Sequence, residues 1–373
     1  MSALVVTHAC RACRSRTGDI VLDLGEQPAS DFFPPRGDPG PDPVYPLQMW
    51  LCADCKLAQL LTDETGPEEP RGAEPAALVK QAADAVGRVA SAGWLEPGLT
   101  VAEYGSPHGG SWASWLEERR LRPVGEREQA DVVLDVFGLM HEAEQAAALT
   151  ERVARMAPGA VLLLQYHSLA TIIRLGQWNA LRHGHYAYYS ATALFRMLQT
   201  AGLTPRSAWE FDLYGGTVLL AATRDLATGQ AADPGLGEVL RNEAAIGVGD
   251  AERLRELQRA AVRSAEALHA WLAEQRASGV SILGYGAASR AVALLCRAGV
   301  SSRLLPAVAD ASSAKHGRRM PGTDIPVIDP RDMITARPEA VVLFLPDLLA
   351  EARMSYPEIE AGGGRWVSVD HIS

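Results

Sequence analysis

The 373-residue chain has only five cysteines, no apolar run longer than a handful of residues, and no surplus of positive charge. Each shortage excludes something. Thirty-five Lys and Arg against 45 Asp and Glu leave a formal net charge of −10. A nucleic-acid surface needs clustered cations to neutralise phosphates, so no nucleic-acid partner is expected, although one local basic pocket can still hold a phosphorylated small molecule. The longest apolar runs, AVLLL (160–164) and AVVLFL (340–345), fall far short of the roughly 20 residues that cross a bilayer. The opening MSALVVTHAC lacks the basic start and long apolar core of a signal peptide. A soluble, cytoplasmic protein with no membrane partner is expected. Five cysteines in so long a chain make no disulfide scaffold and fit a reducing compartment. What is present, 47% hydrophobic and 21% charged residues, is ordinary globular composition for two or three domains. Oligomeric state is left open.

Four of the five cysteines form two clipped pairs, Cys10-x-x-Cys13 and Cys52-x-x-Cys55. Two such knuckles present four thiolates tetrahedrally to one Zn²⁺, and a closed thiolate shell marks a structural rather than a catalytic metal. The spacer of 38 residues between the pairs requires an insert that folds between them. Cys296, in AVALLCRAG, reads as a small buried side chain.

Along the chain, the first 60 or so residues are rich in Pro and Gly and predict short hairpins around the metal. TDETGPEEPRGAEP (62–75) reads as a polar linker and 77–95 as a helix. Strands are predicted at LTVAEYG (99–105), DVVLDVFG (131–138), AVLLLQYHS (160–168) and GGTVLLAATR (215–224), the last as an antiparallel edge. Residues 233–279 are helix-rich. VSILGYG (280–286), a helix at 289–298, a strand ending at Asp310 and AVVLFLP (340–346) make a further small α/β unit.

Three segments carry chemistry. Glu103-Tyr-Gly105-Ser-Pro-His-Gly109-Gly110 follows a predicted strand, and E-x-G-x-x-x-G there is how many S-adenosylmethionine (SAM) methyltransferases hold the methionine end of the cofactor. Glycine turns also simply end strands. Glu126, 21 residues after Gly105, has the spacing of a ribose-binding acid. Only four residues separate Glu126 from Asp131, too few for a parallel crossover. Strands at 122–125 and 131–135 therefore cannot be an ordinary parallel pair, and the adenine side is truncated, open, or built from elsewhere. The second segment, Arg182-His-Gly-His185-Tyr-Ala-Tyr188-Tyr-Ser190, is dense in groups that move protons, against the plainer reading as packing. His141, after a predicted strand, is a further candidate. The third, Gly284-x-Gly286-x-x-Ser289-Arg290 with Asp310 24 residues after Gly286, approaches a dinucleotide fingerprint, and Lys315 to Arg319 adds a basic patch.

Taken together, these segments resemble the three-domain, zinc-containing SAM-dependent sugar C-methyltransferases of antibiotic deoxysugar pathways. The cysteine pairs with VLDLGEQP and YPL-x-x-W-L-C-x-x-C-x-L-x-Q-L, then HYAYYSATALFRMLQTAGL, YGGT, GYGAASR and KHGRRMPGTDIPV, match in order over nearly the whole chain. The resemblance implies an α/β protein with an N-terminal zinc-binding hairpin domain (1–65), a central Rossmann-like methyltransferase sheet (66–225), a helical linker (226–279) and a smaller Rossmann-like α/β domain (280–373) that binds the nucleotide sugar. It implies structural Zn²⁺ on Cys10, Cys13, Cys52 and Cys55, and SAM at Glu103, Gly105, Gly109 and Glu126. The substrate would be a thymidine-diphosphate (TDP) 4-keto-deoxysugar with its diphosphate near Gly286, Ser289, Arg290 and Lys315. His185 would remove the C3 proton beside the ketone, His141 would support it, and Tyr188 joins the catalytic set. The chain departs from the family: Tyr-His-Glu-His becomes Arg182-His183-Gly184-His185, the tyrosine after the zinc domain is absent, and His-Gly-Gly becomes Tyr214-Gly215-Gly216. These departures keep open an NADPH-dependent ketoreductase, an epimerase, or a non-catalytic sugar-nucleotide-binding partner on the same scaffold.

Overall fold

The computed structural model describes residues 8–65, 74–107, 109–224 and 233–372. In chain order its strands are β1 (Gly18–Pro28), β2 (Val44–Cys52), β3 (Ala58–Leu60), β4 (Thr100–Tyr104), β5 (Arg122–Pro123), β6 (Ala130–Val136), β7 (Met156–His167), β8 (Ala187–Tyr188), β9 (Thr204–Phe211), β10 (Thr217–Thr223), β11 (Ile282–Tyr285), β12 (Val308–Ala309), β13 (Val327–Ile328), β14 (Ala340–Leu343) and β15 (Arg365–Ser368). They form three sheets, ordered β1-β2-β3-β8, β5-β4-β6-β7-β10-β9 and β13-β12-β11-β14-β15. The α/β class with an N-terminal hairpin unit and two Rossmann-like sheets is therefore the architecture.

The first sheet is antiparallel throughout. The insert between the cysteine pairs is the long hairpin of β1 and β2, with Val21, Leu22, Leu24, Leu47, Met49 and Leu51 buried along it. Its fourth strand comes from far along the chain: β8 pairs with β3, Ala58 opposite Tyr188 and Gln59 opposite Ala187. The zinc unit thereby borrows the histidine–tyrosine segment.

In the central sheet β5, β4, β6 and β7 run parallel, while β10 and β9 run antiparallel. Continuous apolar runs such as LLLQYH and TVLLAAT are buried on both faces, as interior strands require. The expectation that residues 215–224 form the edge is corrected: β10 lies inside, and β9 takes the edge. Thr204-Pro-Arg-Ser-Ala-Trp-Glu-Phe211 carries a proline and charges that an edge strand tolerates and that mask it as a strand in sequence. The short spacing between Glu126 and Asp131 is accommodated because β5 and β6 flank β4 on opposite sides instead of pairing. β5 is a two-residue stub at the other edge.

The third sheet is wholly parallel. The helix Glu256–Ala277 lies between the central and C-terminal sheets in the chain and packs Leu257, Ala261, Leu268 and Leu272 into the second core. Of the expected linker, residues 66–73 lie outside those described; Glu74 and Pro75 lead straight into the helix Ala76–Ser91.

Candidate functional site

The sulfur atoms of Cys10, Cys13, Cys52 and Cys55 all lie within 4.8 Å of one another. Cys10 and Cys55 are 3.4 Å apart, and Cys13 and Cys52 are 3.6 Å apart. Tetrahedral Zn–S bonds of about 2.3 Å place sulfurs just under 4 Å apart, so the donor set fits zinc. Four thiolates complete the shell and leave no position for substrate.

The central feature is a cavity of about 230 Å³ lined from both the central and the C-terminal sheet by residues at the carboxyl ends of their parallel strands. The central sheet contributes Ser106 and Gly109 after β4, Phe137 after β6 and His167 at the end of β7. The C-terminal sheet contributes Gly286 after β11, Asp310 after β12 and Asp347 after β14. Ligands of parallel α/β sheets bind at such strand ends. Asp31, from the loop of the β1–β2 hairpin, closes a third side. Phe137 and Tyr214 both adopt positive φ (57° each), uncommon for bulky residues, and their rings meet edge-on at the wall.

The turn Arg182–Tyr186 is hung between units. Gly184 N–H donates to Asp63 at 2.7 Å, Tyr186 N–H to the Met140 carbonyl at 2.7 Å, and Leu60 N–H to the Tyr186 carbonyl at 3.2 Å. This brings His185, His141 and Tyr188 together in the cavity, the two imidazoles edge to face with centroids 4.6 Å apart. Arg182 Nε donates to His185 Nε2 at 2.8 Å, which puts the neutral ring's proton on Nδ1. The same guanidinium bonds Ser289 and lies 3.9 Å from Asp31. His141 Nδ1 donates to the Gly184 carbonyl at 3.1 Å. Burial, helped by the Arg182 charge, pushes the His141 pKa down to about 4. The Tyr188 hydroxyl is committed to the turn itself: it accepts from Arg182 N–H at 3.0 Å and donates to the Arg182 carbonyl at 3.4 Å.

Gly286, Ser289, Arg290 and Lys315 all line the same cavity. Ser289 begins the helix Ser289–Arg297, whose N–H groups and positive dipole end face an anion favourably. Arg290 is held by His167, whose Nδ1 accepts from it at 3.3 Å while its Nε2 donates to Gln177 at 3.1 Å. Burial, helped by the nearby Arg182 charge, lowers the Arg290 pKa. Arg182, Asp31, His167 and Tyr214 were absent from the expected site. Arg182 was visible as the first residue of the histidine–tyrosine segment and as a departure from the family pattern, and His167 as part of a predicted strand.

Other expectations are redirected. Glu103, Gly105 and Glu126 do not line the cavity. Glu103 accepts from Trp112 N–H at 2.8 Å and from Ser111 Oγ at 3.0 Å, so it shapes the glycine turn from behind; Glu126 is exposed beyond β5. His183 turns away, donating to the Pro46 carbonyl at 3.3 Å. Asp310, the acid of the dinucleotide-like fingerprint, accepts from Ser312 N–H at 2.8 Å and lies 3.7 Å from Lys315 Nζ. NADPH finds no support here. Arg318 and Arg319 are fastened to the hairpin loop through the Phe33 and Asp38 carbonyls and Asp42. No helix among the described residues is long and apolar enough to cross a membrane.

Residues 212–369 match the C-methyltransferase C-terminal domain family, and residues 10–69 match a zinc binding domain family. The C-methyltransferase NovU of Streptomyces niveus is 22% identical over 398 residues, covering 96% of this chain and 94% of that protein. Among solved structures, magnesium protoporphyrin IX methyltransferase (ChlM) from Synechocystis PCC 6803 with bound SAH covers 40% of this chain and 84% of its own, at 12% identity and a TM-score of 0.29. The glycopeptide N-methyltransferase MtfA covers 42% of this chain and 100% of its own, at 12% identity and a TM-score of 0.27. One chain thus carries a segment matching a zinc binding domain family and a segment matching a C-methyltransferase C-terminal domain family, and it resembles a C-methyltransferase over nearly its whole length.

Proposed function

We propose that this chain transfers a methyl group from SAM to C3 of a TDP-linked 4-keto-deoxysugar through a histidine-generated enolate, in antibiotic deoxysugar biosynthesis. The observation that carries this reading is the meeting, in one cavity, of the glycine turn after β4, the His141–His185 pair and the cationic helix start at Ser289–Arg290. The relative NovU is a C-methyltransferase by name, which supports the reaction class.

SAM suits the glycine turn: Ser106 and Gly109 open onto the cavity beside the apolar side chains of Leu78, Phe137 and Met140. When bound it supplies an electrophilic methyl group. The diphosphate is held by Arg290, Lys315 and the N–H groups at the start of the helix Ser289–Arg297. His185 takes the C3 proton, which the neighbouring ketone makes acidic. Its Nε2 is engaged by Arg182, which also bonds Ser289, so His185 acts as base once the substrate's diphosphate draws that guanidinium off the ring and frees the lone pair. His141, neutral at pH 7, supports the His185 ring without adding charge. Tyr188 acts by positioning, because its hydroxyl holds the backbone of Arg182.

The test is mass spectrometry of a TDP-4-keto-dideoxysugar incubated with protein and SAM, together with exchange in D₂O. The product is expected to gain one CH₂, and the C3 hydrogen to exchange without SAM. His185→Gln should abolish both by about 10²-fold or more while TDP binding persists. A sugar nucleotide of unchanged mass, with no SAM binding to the purified protein, overturns the proposal.

A further inference from the structure

The ribose-binding acid of a SAM site ordinarily ends the second strand of its own sheet, and here that position belongs to Glu126. The central sheet stops there: β5 has two residues, no described strand lies outside it, and Glu126 is exposed away from the cavity. The cavity facing the glycine turn is walled instead by the C-terminal unit. Leu345, Asp347, Leu348 and Glu351 follow β14 and close on Pro75 and Leu78.

Within that wall one group is unfinished. Glu351 Oε1 accepts a long hydrogen bond from Ala76 N–H at 3.4 Å, while its Oε2 is buried and has no hydrogen-bond partner among the described residues. A carboxylate oxygen only accepts, and burying it without a donor is costly. The neighbouring acid is already engaged, since Glu74 Oε1 accepts from Gly110 N–H at 2.6 Å. A vicinal diol offers two O–H donors to one carboxylate, and Leu345 and Leu348 supply the apolar flank that a ribose and base need.

We infer that Glu351 of the C-terminal unit holds the ribose diol of the cofactor, replacing the strand-end acid that the truncated sheet no longer aims at its site. The inference rests on the SAM reading above. It makes the cofactor site incomplete without the C-terminal unit, so the domain that holds the sugar nucleotide also finishes the cofactor pocket.

Titration calorimetry of the full chain with S-adenosylhomocysteine (SAH) and its 2′-deoxy analogue tests it. The unaltered protein should prefer SAH over the deoxy analogue by about tenfold or more, the worth of one hydrogen bond to a charged group. Glu351→Gln should weaken SAH by about tenfold and shrink that preference to about twofold or less, with TDP affinity unchanged as the check on folding. Glu126→Gln should leave both affinities as they were. Equal SAH affinity and preference in Glu351→Gln, or their loss in Glu126→Gln, overturns the inference while the SAM reading stands. No SAH binding to the unaltered protein, with TDP still bound, overturns both.

Discussion

At the scale of single residues, His141 and His167 in the cavity are both kept neutral chiefly by burial, each with a different guanidinium beside it. Burial and Arg182 push His141 down to about 4; burial and Arg290 push His167 down to about 3. A free imidazole titrates near 6.5. On acidification the unfolded chain therefore takes up protons before the folded one does. The stability these groups contribute is fully present above about pH 6.5 and is lost as pH falls toward about 4 and about 3. Denaturant titrations between pH 7 and 4.5 should show a loss on the order of 5 kcal/mol from the pair. His167→Gln should make the decline shallower by its share, whereas an identical slope in that variant refutes the assignment. These shifts were not legible in sequence, because they arise from guanidiniums delivered by residues 41 and 123 positions away.

At the scale of elements, the two-residue strand β8 does most to connect metal and chemistry. It is the fourth strand of the zinc sheet and begins two residues after His185. Order at the cysteines passes through β3 to β8 and so to the turn that Asp63 holds by Gly184. Stripping zinc with a chelator should lower the melting temperature and the activity together, since the closed thiolate shell has no role in the chemistry. Cys55→Ser should do the same, and activity that survives complete metal loss counts against this coupling. The cysteine spacing announced the metal, but nothing local in HYAYY announced a strand of another unit's sheet. A pairing of two residues is too short for a periodicity to show.

At the scale of the whole molecule, the hairpin loop is clamped to the C-terminal unit by a buried ion pair. Arg319 donates from Nη1 to Asp42 Oδ2 at 2.7 Å and from Nη2 to Oδ1 at 2.5 Å, and Gly322 N–H adds a bond at 2.7 Å. Burial raises the Asp42 pKa, but these hydrogen bonds outweigh it and hold the carboxyl below its ordinary value. Its contribution is therefore present above the unfolded pKa and lost as pH falls through the folded one. Asp42→Asn, which leaves Arg319 without its counter-charge, should cost about 3–5 kcal/mol in urea unfolding at pH 7. A change below about 1 kcal/mol would show the clamp to be dispensable. In sequence, Lys315 to Arg319 looked like one basic patch for phosphate. The fold divides it, sending Lys315 to the cavity and Arg318 and Arg319 to the hairpin.

The sequence by itself determined the thiolate metal site, the strand-and-glycine order of two α/β units, and the identity of the histidines and of the helix start at Ser289. Each of these is written in contiguous residues, because knuckles, strand-end turns and helix starts are local geometry. Tertiary structure alone decided that the parallel strands of two sheets empty into one cavity, that Arg182 sits on His185, and that Glu351 lines the cavity while Glu126 does not. Those outcomes depend on side chains far apart in the chain being packed together, and on a truncated sheet whose missing wall another unit supplies.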